Sequence, residues 1–385
     1  MKPALGPSEL ANQIKQEALR LGFSAAGIAP GSAWEGRKQE LSRWISAGLY
    51  GPIDYMRRFF ERQSSYASQF PELRSIIVLA CDYGGESENL AEPSTEPSGR
   101  IARYARSKDY HEVLQNKLER LESFLKELAA PMPVRLMKTV DIQPVQERVL
   151  AEAAGLGFFG KNTCLIRPKG GSFFFLCSLL TDLELPADAA PLKWDCGSCR
   201  ICIDACPTDA LKKPFELDAG LCISALTIEL KGPVSQELRP KIGDWIFGCD
   251  ICQEVCPYNQ KPAGKPDPEF LISPPVPAQI PLKELLECRT DQEFNQKYGE
   301  TPLSRPKRAG LLRNAVIAAG NSKDPDLTAS LEKCLLEEKS ILVRQHAAWA
   351  LGQIQTEQSR QILQRAAETE ADTAVKSEID QALCR

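Results

Sequence analysis

Cysteines at 196, 199, 202 and 206, followed by proline in CGSCRICIDACP, constrain this chain more than any other feature, and the pattern returns as CDICQEVCP at 249–257. Closely spaced thiols on a tight loop can supply three corners of a cubane iron-sulfur cluster, and the fourth must arrive from elsewhere. In the two-cluster ferredoxin pattern, the cysteine before proline in each run crosses to the other cluster. That pattern assigns Cys196, Cys199, Cys202 and Cys256 to one 4Fe-4S cluster, and Cys206, Cys222, Cys249 and Cys252 to a second. Two zinc sites are the rival reading, since zinc also uses C-x2-C pairs, but a third cysteine two residues on followed by Cys-Pro is unusual for zinc. Twenty-six residues, ISALTIELKGPVSQELRPKIGDWIFG, separate Cys222 from Cys249, where the simple pattern has two. This insertion is expected to reach out to something near the cluster.

The chain has 14 cysteines. Without an apolar leader in MKPALGPSELANQIKQEALRLGF, a reducing, cytoplasmic setting is expected, in which so many thiols mean metal ligands or buried side chains rather than disulfides. The six outside the pattern, Cys81, Cys164, Cys177, Cys288, Cys334 and Cys384, are expected to be buried thiols. No window approaches a membrane span. A net charge of −4 excludes nothing, because partners respond to local charge.

Ser8 is expected to cap a helix over 9–21, SIIVLACDY (75–83) to form a buried strand, and Leu114, Leu118, Leu121, Leu125 and Leu128 to stripe a helix between Asp109 and Pro131. A strand should end near Val140, a helix should open at Pro144 and close at Gly155, and 163–183 should form a hairpin turning at 168–171. The sequence therefore divides into an α/β domain over 1–185, a ferredoxin-like domain over 186–262, a linker and helix over 263–300, and a HEAT-like helical repeat domain over 301–385. The fold class is a multidomain α+β chain, and a monomer is expected.

A two-cluster wire implies a redox centre in the N-terminal domain. No G-x-G-x-x-G follows a strand, and only His111 and His346 could supply imidazole, which disfavours nicotinamide-type binding, haem and histidine-rich iron. RIARYARSKDYH, VDIQPVQERVLAEAAGLGFFGKN, GSFFFLCSLLTDL, CISALTIELKG and IFGCDICQEVCPYN, taken with the cysteine runs, resemble the epoxyqueuosine reductase family, from the N-terminus into the helical tail. The resemblance implies a fold similar to reductive dehalogenases, cobalamin beside one cluster, base-off and without a histidine ligand, and an external low-potential electron donor. It implies reduction of the epoxide of epoxyqueuosine in tRNA to the alkene, with oxygen lost as water. Asp141 matches the family's proton donor in V-D-x-x-P; a carboxyl at a strand end over a partly apolar pocket can stay protonated near neutral pH, although a helix cap for the segment after Pro144 is the plainer reading.

By matched position, Arg62, Lys161, Asn162, Ser224 and Asp250 are expected around the corrin, and Ala102 stands where some relatives carry cysteine. Arg305, Lys307, Arg308 and Arg313, with Arg100, Arg103, Arg106 and Lys108, are expected cations for tRNA phosphates. A ferredoxin-type carrier and a corrinoid reductive dehalogenase are the alternatives.

Overall fold

The computed structural model describes residues 5–84, 96–188, 194–260, 267–271 and 276–384. Its strands are β1 (Ala25–Pro30), β2 (Ser75–Asp82), β3 (Ser98–Ile101), β4 (Leu136–Thr139), β5 (Phe158–Phe159), β6 (Leu165–Ile166), β7 (Phe174–Thr181), β8 (Trp245–Phe247) and β9 (Gln279–Pro281). A four-stranded sheet in the order β1-β2-β7-β4 carries the N-terminal half. Every residue of β2 is buried, because helices cover both faces of the sheet. On one face Ile77, Leu79, Cys177 and Leu179 meet helix Pro7–Arg20 and the leucine-striped helix Tyr110–Ala129. On the other, Ile76, Val78 and Leu180 meet Leu150, Ala151 and Ala154 of the segment around helix Glu147–Ala153.

Several expectations are corrected. All neighbours in this sheet run antiparallel, so the half is α+β rather than α/β; alternation of elements along a chain does not state strand direction. Gly6, not Ser8, is the N-cap of the first helix, with Pro7 at its first position, where the missing amide hydrogen costs nothing. The 163–183 segment makes its tight turn, with Arg167 bridged to Gly171 at φ +68°, but forms no continuous hairpin ladder. β6 pairs with β5 while β7 joins the main sheet. Cys164 is only partly buried and Cys384 is exposed, whereas Cys81, Cys177, Cys288 and Cys334 are buried as expected.

A sheet and a core are shared across the expected domain boundaries. A second sheet, β8-β3-β9, draws one strand from the N-terminal half, one from the insertion between Cys222 and Cys249, and one from the connecting segment, part of which lies outside the described residues. One apolar core runs from Ile101 and Ala105 through Ile223, Leu226, Trp245 and Phe247 to the repeat helices Lys307–Ser322, Ile341–Ile354 and Thr373–Leu383. The insertion thus reaches the helical repeats. Arg313, fully buried, donates to the carbonyls of Leu226, Leu230 and Gly232, and the Asn314 amide donates to those of Thr227 and Ile246. Burial lowers the Arg313 guanidinium to about 10, still charged at neutral pH. Arg239 pairs with buried Glu378, and His346 accepts from the Val234 amide.

Two of the cations expected at phosphates are therefore structural: Arg313 satisfies carbonyls inside the core, and Arg308 is buried against Glu338 at 2.7 Å. Arg100 pairs with Glu254 and lies over the Trp245 ring, and Arg106 donates to the Ile101 carbonyl. Lys307 is exposed. Arg313→Met should lower unfolding stability by roughly 3 to 5 kcal/mol in urea titration, because buried carbonyls lose their donors, while Lys307→Ala should stay within about 0.5 kcal/mol of the parent.

Candidate active site

The two cysteine runs fold alike, each placing a single helical turn, Ile201–Asp204 or Ile251–Glu254, before its Cys-Pro. Gly248 enters the second run at φ +68°, and a Cβ there would stand 2.5 Å from the Cβ of Ala102, so only glycine fits. The thiols gather in two sets. Burial raises Cys202 to about 11, with the charges of Cys196, Cys256 and Cys199 adding to it. Burial raises Cys249 to about 12, with Cys222 and Cys206 adding to it. Crowded thiols that resist ionisation are what a cationic iron-sulfur core offsets on binding, so the residues present suit two clusters divided as the spacing implies.

G-F-F-G-K-N, just before β6, ties both loops together. The Lys161 ammonium donates to the carbonyls of Gly197 (2.6 Å) and Cys199 (2.8 Å), and its amide donates to Cys196 Sγ (3.4 Å). Asn162 donates to the Cys252 carbonyl and accepts from the Cys164 amide, both at 3.2 Å. Both residues therefore bind the backbone of the cysteine loops, and neither lines the cavity beside them.

That cavity, of about 620 Å³, opens between the main sheet, the second cysteine run and the approach to the repeats. Tyr83, Tyr104, Phe175 and Phe247 give it aromatic walls, and Ser172, Ser224 and Gln253 give it polar points. Of the residues expected around a cofactor, only Ser224 and Asp141 line it. Arg62 is exposed on helix Tyr55–Ala67 away from the lining, and Ala102 is buried beneath Gly248. Asp250 is buried, accepts from the Arg103 amide at 2.7 Å, and is raised by burial to about 6. Arg305 is the one expected tRNA cation on the cavity, paired with Glu229 at 2.7 Å.

Asp141 follows β4 in the left-handed region, at φ +53°, which a short polar side chain tolerates. Tyr110 donates its hydroxyl to Asp141 Oδ2 at 2.6 Å, and the Asp141 amide donates to Glu147 Oε1 at 2.9 Å. His111 Nε2 stands 3.9 Å from the same Oδ2, while its Nδ1 is 2.7 Å from Asp109 Oδ1. Tyr110 is clamped between Phe175 (centroids 4.3 Å) and His111 (4.1 Å). The cap reading of Asp141 fails, since helix Glu147–Ala153 starts three residues after Pro144 with Gln146 at its N-cap.

The Asp141 side chain is 56% exposed at the mouth, not enclosed. The carboxyl that burial does favour in its acid form is Glu147, pushed up to about 8, with the Asp141 charge adding to the shift. Tyr110, Asp109, His111 and Glu147 carried no role in the sequence reading. The available signal was D-Y-H opening a helix, where Asp109 is the N-cap and its carboxylate also reaches the imidazole.

A family model described as "Epoxyqueuosine reductase QueG, DUF1730" matches residues 64–141, a "4Fe-4S double cluster binding domain" matches residues 195–259, and HEAT repeats match residues 307–384. The epoxyqueuosine reductase of Pseudomonas aeruginosa is 37% identical over 350 residues, covering 90% of this chain and 94% of that protein. That of Bacillus subtilis is 33% identical, covering 97% and 95%. A solved epoxyqueuosine reductase with an epoxyqueuosine-modified tRNA-Tyr stem loop superposes with TM-score 0.84 at 32% identity, over 97% of this chain and 98% of that one. The Bacillus subtilis enzyme, solved with its catalytic aspartate loop swung out of the active site, superposes with TM-score 0.84 at 31% identity over the same shares.

Because the Glu147 carboxyl rises from 4.5 unfolded to about 8 folded, its contribution to stability is complete below pH 4.5 and is lost as pH rises through about 8. Glu147→Gln should remove that loss. Thermal unfolding of the variant should change less than the parent's between pH 6 and 9, and an unchanged slope would assign the pH dependence elsewhere.

Proposed function

The chain belongs to the epoxyqueuosine reductase family, a family of oxidoreductases, and we propose that its cavity reduces the epoxide of epoxyqueuosine in tRNA to the alkene of queuosine, with Asp141 as the acid. The observation that carries this reading is the carboxyl at the cavity mouth, held by a tyrosine hydroxyl and lying on the same cavity as Ser224 and Gln253, which neighbour two cluster cysteines.

The 4Fe-4S double-cluster binding domain spans residues 195–259, and Gln253 of its second cysteine run lines this cavity. Cys222 and Cys252 adjoin Ser224 and Gln253 of the lining, so the set Cys206, Cys222, Cys249 and Cys252 is the inner cluster. Cys196, Cys199, Cys202 and Cys256 form the outer one, where Ile201 between two ligands is 48% exposed. An external low-potential donor loads the outer cluster. The aromatic walls and polar points suit a large flat macrocycle, and Ser224, Ser172, Gln253, Tyr104 and Phe247 would hold cobalamin there. When bound and reduced, cobalamin supplies a strong low-potential reductant at the substrate's ring. Both nitrogens of His111 face carboxylates and His346 is buried in the repeats, which supports a cofactor without a histidine ligand.

The protein's own part is proton delivery and enclosure. Tyr110 keeps its proton, since burial and Asp141 raise its hydroxyl far above the ordinary range, and so it stays a donor that orients the Asp141 carboxyl. Arg305, on the cavity lining and paired with Glu229, and exposed Lys307 remain as contacts for the RNA backbone on the repeat side.

Asp141→Asn preserves size and the Tyr110 partner but removes the acid. With both clusters and cobalamin loaded, it should bind the modified stem loop normally while turnover, read as loss of one oxygen from the nucleoside by mass, falls roughly 10²- to 10⁴-fold. Turnover near the parent's would remove Asp141 from the mechanism.

A further inference from the structure

Reduction of an epoxide to an alkene breaks two C–O bonds, makes the second C–C bond, and consumes two electrons and two protons as the oxygen leaves as water. Asp141 can deliver one proton from its own store. Its backbone amide is tied to Glu147, and its carboxylate oxygen already accepts from Tyr110, whose hydroxyl does not release its proton near neutral pH. The second proton needs another source on the same side of the cavity.

We propose that His111, braced by Asp109, supplies that proton by reloading Asp141 between the two bond cleavages. The proposal rests on the reading of Asp141 given above. Three features of the geometry support it. His111 lines the cavity, and its Nε2 is 3.9 Å from Asp141 Oδ2, a gap that a small turn of a carboxyl 56% exposed can close. Its Nδ1–H donates to Asp109 Oδ1 at 2.7 Å, which fixes the ring so that Nε2 points to Asp141 and steadies the charge when that nitrogen is protonated. The ring is also stacked on Tyr110, whose hydroxyl holds the same Asp141 oxygen.

The steps balance. The Asp141 carboxyl protonates the epoxide oxygen as the first C–O bond breaks and becomes a carboxylate. His111 Nε2–H passes its proton to that carboxylate. Asp141 then protonates the hydroxyl, which departs as water as the second C–O bond breaks and the alkene forms. The two electrons come through the clusters, and His111 regains its proton from solvent. His111 acts through Asp141 and is a positioning and proton-supplying residue, not one that touches substrate.

The structural role to be separated is helix capping, because Asp109 Oδ1 also accepts the His111 backbone amide. Asparagine caps as well as aspartate, so Asp109→Asn keeps the helix start and removes only the negative brace. The test uses enzyme loaded with both clusters and cobalamin, acting on epoxyqueuosine-bearing tRNA stem loop. His111→Gln should lower kcat about 10²-fold with KM for the stem loop unchanged. His111→Gly should recover turnover on addition of free imidazole, and Asp109→Asn should lose less than either. A second readout needs no turnover. His346 is fully buried with its pKa lowered to about 3, so diethylpyrocarbonate should modify one imidazole per chain, and bound stem loop should protect it.

Parent-like kcat in His111→Gln, or a loss that imidazole does not restore, would overturn the proposal, as would stem loop that leaves the imidazole unprotected. An active Asp141→Asn enzyme would instead overturn the reading on which it rests.

Discussion

The arrangement depends on thiols from two loops meeting across them. Cys256 stands with Cys196 and Cys199 around Cys202, and Cys206 stands with Cys222 around Cys249, so each gathering of thiols draws on both loops. Each loop is thereby held against the other, and Lys161 and Asn162 reach across from the end of the catalytic half to bind the backbone of both. Once that is fixed, the inner thiols must lie behind the cavity wall, because Ser224 and Gln253 follow Cys222 and Cys252 by one or two residues and face the cavity.

At the cavity mouth the physics is local and electrostatic. Asp141 is held in a left-handed turn by hydrogen bonds from above and below, and the carboxyl that burial favours in its acid form is its neighbour Glu147. The exposed Asp141 carboxylate thus sits beside a carboxyl that burial raises to about 8. The same logic separates the two histidines, one accessible between carboxylates and one buried and neutral inside the repeats.

Much of this was legible in the residues because it is carried by short-range spacing. The cysteine runs, the leucine stripe of Tyr110–Ala129, the buried strand at β2 and the three repeat helices all follow from periods of two to four residues. What was not legible is long-range. Arg308 and Arg313 read as free cations because the sequence does not show that Glu338 and the carbonyls of the 222–249 insertion would surround them. Lys161 and Asp250 are expected at the cofactor from matched position, and the sequence does not show that the Lys161 ammonium binds the Gly197 carbonyl or that Asp250 accepts the Arg103 amide. Strand direction, and the sharing of one sheet among three sequence regions, likewise depend on contacts far apart in the chain.

The bond network of Arg313 and Asn314 has an architectural consequence. The first repeat helix is stitched to the segment that carries Ser224, and the sheet beside it takes strands from both halves of the chain. The solenoid is consequently no detachable handle, and the chain has no seam there at which a designer could part the repeats from the cysteine-bearing segment and expect two intact pieces.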